Sequence, residues 1–190
     1  DLYGYDETLG ANTPEQLETL RGEYMKKFKV CNILELLNNR NYRTNTIIED
    51  LLKVLGQLST VEIDSSYYAE VIDHIIDSSN NRLNRKLTYV VLCDDRVIGT
   101  GSLLIEDKII HSLGRVGHIE DVVIDSNFRG LGLAKRLNQT LVDSAKDNGC
   151  YKCILESNER LESLYNKAGF KKHALSMRMN LKDNISVKRF

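Results

Sequence analysis

Arg129-Gly130-Leu131-Gly132-Leu133-Ala134 is the stretch on which the fold turns. It follows a β-branched run, Val116 to Ile124, and opens an amphipathic segment. In that segment Leu133, Leu137, Leu141 and Ala145 recur at helical spacing as far as about Asp147. Small residues let the backbone approach a ligand closely. The first amides of a helix are donors without intrahelical partners, at the positive end of the helix dipole. A strand, a glycine-bearing loop and a helix in that order make an anion site suited to a pyrophosphate. Arg129 and Lys135 add charge at its rim. Taken alone, two glycines more often mark a turn that binds nothing. Two other phosphate loops are excluded by spelling. No G-x-x-x-x-G-K-[ST] occurs, and a G-x-G-x-x-G would need glycine at position 135, which is Lys135.

Upstream, Val30 to Leu37 reads as a strand and Asn38-Asn39-Arg40-Asn41 as a turn. Thr44 to Leu55 reads as a helix with Ile47, Ile48, Leu51, Leu52 and Leu55 on one face, ended by Gly56. A second helix is expected over Ser65 to Ser79. Leu87 to Cys93 and Val97 to Ile105 form a hairpin across Asp94-Asp95. Downstream, Tyr151 to Ser157 is a strand, Leu161 to Ala168 a helix closed by Gly169, and Ala174 to Leu181 a final strand. The order β-α-α-β-β-β-α-β-α-β implies an α/β (α+β) fold, with helices on both faces of a mixed sheet.

The chain has 190 residues, 26 basic and 27 acidic, and a formal charge of −1. That length suits one domain with an extension. The charge balance supplies no global field for nucleic acid or an anionic membrane. No apolar run is long enough to span a bilayer. Residues 1–20 hold five acidic side chains and no basic one, and read as an extension, with a short helix at 15–29. No secretory signal is read in Asp1-Leu2-Tyr3-Gly4-Tyr5. The expected organisation is an extension over 1–30, one domain over 31–182 and a tail over 183–190. Cys150-Tyr151-Lys152-Cys153 opens a strand, where positions 150 and 153 face opposite sides. With no second ligand pair in the chain, no metal site is expected, and the four cysteines read as reduced thiols in a cytoplasmic compartment.

Arg129, Gly132 and Ala134 spell [QR]-x-x-G-x-[GA], and with the element order the chain resembles the GNAT superfamily of acyl-CoA N-acyltransferases over about residues 32–181. Within it, Leu52 to Leu58, Ile105 to His111, Gly117 to Val123 and Gly149 to Lys152 resemble the glucosamine-6-phosphate N-acetyltransferase family of the eukaryotic hexosamine route. The resemblance implies that residues 129–135 (Arg129, Gly130, Leu131, Gly132, Leu133, Ala134, Lys135) cradle the pyrophosphate of acetyl-CoA. It implies that the strand through Val122 and Val123 pairs with the pantetheine arm, which passes a splayed gap before the next strand. Asn158 is then a pantetheine contact, and Tyr165 places its hydroxyl near the CoA sulfur.

The implied reaction, attack of a sugar amine on an acetyl thioester, needs a neutral amine, a stabilised oxyanion and a protonated leaving thiolate. By the resemblance Glu120 and Asp121 position the amine, and Glu120 either accepts its proton, directly or through water, or only orients the sugar. On an ideal strand the two face opposite sides. The Val122 or Val123 amide is the expected oxyanion donor, and Tyr165 the acid toward the thiolate, since a phenol is mostly protonated near neutrality. Lys108 and His111, flanking Ile109 and Ile110, match the family's substrate loop and suit a sugar phosphate. Gly56 and Gln57 fall in another substrate segment, and Lys152 and Glu156 reach the sugar or its phosphate, across a homodimer interface in this family. Asn180 stands where the family often carries an arginine, and Ser65-Ser66-Tyr67-Tyr68 also departs from it. Two other readings stay open: an acetyltransferase for another small amine or a protein N-terminus, and a CoA-binding sensor without catalysis.

Overall fold

In the computed structural model, Thr19 and residues 22–179 are described. The elements are β1 (Phe28–Asn32), α1 (Ile33–Leu37), α2 (Thr44–Leu55), α3 (Tyr68–Asn80), β2 (Asn84–Cys93), β3 (Arg96–Asp107), β4 (Arg115–Ile124), α4 (Leu133–Asp147), β5 (Cys150–Leu155) and α5 (Glu162–Lys167). The strands lie in the order β1-β2-β3-β4-β5. The first three pairings are antiparallel and β4–β5 is parallel, with α4 as the crossover. The mixed α/β class expected from the sequence is what forms.

Helices cover both sides of this sheet. Ile33, Ile47, Ile48, Leu51 and Ile75 from α1–α3 bury with Val90 and Leu92 of β2 on one face. On the other, Leu133, Leu137, Leu141 and Ala145 of α4 are each no more than 1% exposed. Burying each leucine stabilises the fold by roughly 1.5–3 kcal/mol. One ion pair pins α2 to the β2–β3 hairpin. Asp50, buried in α2, accepts from Arg96 Nε at 2.6 Å, from Arg96 Nη2, and from the Val97 amide at 3.2 Å.

Several expected boundaries are corrected. The strand expected over Val30 to Leu37 is β1 and then a helix. Asn32 Oδ1 accepts from the Leu34 amide at 2.9 Å while Glu35 accepts from the Asn32 amide at 3.2 Å, and this reciprocal cap starts α1. The sheet thus begins at Phe28, inside the expected 1–30 extension, and of the helix expected over 15–29 Thr19 and residues 22–25 are helical among those described. Ser65 to Tyr67 is a 3-10 turn capped by Asp64, ahead of α3. Gly56 ends α2 in right-handed conformation, with its N–H donating to the Leu52 carbonyl at 2.8 Å. No strand forms over residues 174–179; Leu175, Met177 and Met179 are more than 80% exposed there. Asn180 and the tail over 183–190 lie outside the described residues. The chain divides after Leu155 into two compact units. No helix among the described residues is long and apolar enough to cross a membrane.

Candidate active site

The glycine loop has the geometry an anion cradle needs. Gly130 and Gly132 have φ of +81° and +77°, and a Cβ at either would meet no protein atom within 4 Å. Gly132 is the N-cap of α4 and supplies no side-chain cap, so the first amides of the helix face open space. These are the features a pyrophosphate would occupy. Lys135 is exposed in the first turn. Arg129 turns back instead. Its Nε donates to the Ile124 carbonyl at 3.0 Å, and its Nη2 lies 3.4 Å from Gln57 Oε1. Gln57 also donates to Asp125 at 3.0 Å and accepts from the Ser126 amide at 2.9 Å. Gln57, assigned to substrate from the sequence, braces this loop in the structure.

β4 carries the next part of the site. Its ladder with β5 ends at Ile119 and Leu155, so Glu120 to Ile124 continue without a β5 partner. On the β3 side, Ser102 pairs with Glu120 and Thr100 with Val123, which leaves Asp121 and Val122 together opposite Gly101. Such an extra residue is a β-bulge, and Asp121 sits at φ +54°. The sequence expectation that Glu120 and Asp121 face opposite sides fails for this reason. A Cβ on Gly101 would touch Val122, Leu137 and Leu141, so Val122 lies on the α4 face. The Asp121 carboxylate instead meets Lys86 Nζ at 3.0 Å. The bulge also leaves the backbone at Asp121–Val122 out of regular pairing, where a carbonyl oxygen can be received.

The loop between β3 and β4 is strained and apolar. His111, Ser112 and Leu113 have φ of +55°, +56° and +62°, a conformation costing roughly 1–2 kcal/mol for a non-glycine residue. Ile109, Ile110 and Leu113 are largely exposed, and the His111 ring rests 4.8 Å from that of Tyr151. Lys152 Nζ lies over the same Tyr151 ring. Lys108 is ion-paired to Glu106, whose other oxygen lies 2.9 Å from His118 Nε2. Lys108 first, then His118, hold the Glu106 carboxyl below the usual carboxylate range. Lys86, Glu106 and His118 were absent from the sequence-derived site.

In the second unit, Glu156 accepts from Ser176 Oγ at 2.7 Å, and the Asn158 carbonyl accepts from the Leu161 amide. Tyr165 is buried, edge-on to Phe170, and burial pushes its phenol above its ordinary value. The four cysteines are free. Burial pushes the thiols of Cys153 and Cys31 up to about 11, the opposite of what a nucleophile needs.

A glycine turn at the head of α4 and a bulged β4 that runs on past the end of its β5 ladder are a frame on which an acyl-CoA-dependent transferase can be built. The acetyltransferase (GNAT) family model matches residues 48–170, and the chain belongs to that family. Among its relatives, a glucosamine 6-phosphate N-acetyltransferase of Trypanosoma brucei brucei is 34% identical over 63% of this chain and 91% of its own length. Glucosamine 6-phosphate N-acetyltransferase 1 of Dictyostelium discoideum is 37% identical over 67% of this chain and 80% of its own. The crystal structure of the Arabidopsis thaliana glucosamine-6-phosphate N-acetyltransferase superposes with a TM-score of 0.66 at 27% identity, over 82% of this chain and 99% of that one.

Proposed function

We propose that the chain transfers acetyl from acetyl-CoA to the 2-amino group of D-glucosamine 6-phosphate, in the cytoplasm, on the route to UDP-N-acetylglucosamine. The observation that carries the reading is the bulge at Asp121. It brings two adjacent carboxylates to the stretch of β4 that β5 leaves unpaired. The relatives' shared substrate supports the acceptor.

In this reading the amides of residues 132–135 hold the pyrophosphate, with the Lys135 charge beside them. Glu120 takes a proton from the amine. The Val122 or Val123 amide donates to the developing oxyanion. The C–N bond forms as the C–S bond breaks, and the leaving thiolate takes its proton from Tyr165. Acetyl-CoA supplies the activated acyl group, and no acyl-enzyme is needed. Lys108 and His111 receive the sugar phosphate, with Lys152 and Glu156 completing the pocket from a second copy of the chain. Exposed Ile109, Ile110 and Leu113 on the strained loop support such a homodimer, since a row of bare apolar side chains is covered at little cost by a partner. The domain runs over 31–182 between an N-terminal extension and a short tail.

The test is CoA release by the purified chain across a panel of amines. Glucosamine 6-phosphate is expected to give turnover. Turnover of a peptide or polyamine with none on the sugar phosphate overturns the acceptor. Lys108→Ala is expected to raise the KM for glucosamine 6-phosphate about tenfold or more, the size of one charge-assisted hydrogen bond. Its KM for acetyl-CoA should not move.

A further inference from the structure

The bulge in β4 draws in a residue that lies 35 positions away in sequence. In the sheet register Lys86 of β2 aligns with Leu104 of β3, and Leu104 with His118 of β4; the next row is Thr88, Ser102 and Glu120. Lys86 and Glu120 therefore share the face opposite α4. Strict alternation would send Asp121 toward α4. Its left-handed backbone and the extra residue opposite Gly101 carry its carboxylate to the Lys86 side, where Nζ meets Oδ2 at 3.0 Å across the width of β3.

Lys86 is itself held. The buried Ser79 hydroxyl of α3 lies 3.1 Å from the Lys86 carbonyl and 2.7 Å from that of Ile75, tying this part of β2 to the helix. Two neighbouring carboxylates thus differ in their surroundings. Asp121 is matched to a cation, and no ion pair holds Glu120 among the described residues. A carboxylate with a bound ammonium is fixed in direction, and one without it is free to turn toward another partner.

We propose that Lys86 is a positioning residue for acetyl transfer: it holds the Asp121 carboxylate in place at the bulge, fixing one acceptor for the incoming amine and leaving Glu120 to take the proton. The inference deepens the acetyltransferase reading above and rests on it. Lys86 touches neither the acetyl group nor CoA in this scheme, so its effect passes through Asp121 alone.

Steady-state kinetics of Lys86→Met, Lys86→Arg, Asp121→Asn and the Lys86→Met/Asp121→Asn double variant test it. Lys86→Met is expected to lower kcat about tenfold, as loss of alignment at a reacting centre does. The KM for acetyl-CoA should stay within about twofold, because the cradle is untouched. Lys86→Arg should recover most of the loss, and the double variant should be no slower than Asp121→Asn alone. Wild-type kcat and amine KM in Lys86→Met overturn the proposal. So does an equal loss in Lys86→Arg, or a double variant in which the two losses multiply. A wild-type chain that acetylates a different amine sinks the sugar-phosphate reading alone, and the same variants are then compared on that amine.

Discussion

Gly132→Val will raise the KM for acetyl-CoA at least about tenfold and leave the KM for the amine nearly unchanged. Gly132 has φ +77° at the N-cap of α4, where an added Cβ meets open space rather than protein. A side chain there has two consequences. It strains the left-handed backbone by roughly 1–2 kcal/mol, which pulls the first amides of α4 out of line. It also fills the volume a phosphate must enter to reach them. A loss of 1.4 kcal/mol is tenfold in affinity. Gly149 provides the control. It shares a positive φ of +74° and open surroundings but follows the far end of α4, so Gly149→Val bears similar strain away from the cradle. Initial rates against acetyl-CoA should separate the two variants, and equal KM values would show that residue 132 does not border the cofactor.

Asp50→Ala is expected to lower the free energy of unfolding by about 3 kcal/mol, read as a fall in the urea midpoint at unchanged slope. The side chain is buried and satisfies three donors, two from Arg96 and one from the Val97 backbone. Without it the Val97 amide is left in the interior without a partner, and α2 loses its hold on the turn between β2 and β3. Asp50→Asn should lose less, since an amide oxygen can still accept from Val97. A midpoint within error of wild type for Asp50→Ala would mean that the hairpin is held by hydrophobic packing alone.

The helices were the most legible part of the chain. α2 and α4 carry their apolar residues at helical spacing, and both form over the residues that spacing marks. Where reading failed, the deciding interaction was a hydrogen bond or a register. Ile33 to Leu37 is as apolar as a strand, and only the pairing of Asn32 with Glu35 turns it into a helix. Residues 174–179 have a strand-like alternation of Leu175, Met177 and Met179, but a strand needs a neighbour as well as a pattern, and none pairs with it in the described chain. The glycine turn ahead of α4 was readable from the sequence, and both glycines take the positive φ such a turn needs. The contacts of Lys86, Glu106 and His118 were not, because Lys86 meets Asp121 across β3 and Glu106 meets His118 across the β3–β4 pairing, and one extra residue at Asp121 undoes any count by twos.

Gln57 shows what that register cannot. One amide side chain at the end of α2 ties together Asp125, the Ser126 amide and Arg129, the whole approach to the glycine turn. The approach is thereby ordered before any ligand arrives. On the proposed reading, little of the affinity for acetyl-CoA would be spent on stilling the segment that receives it.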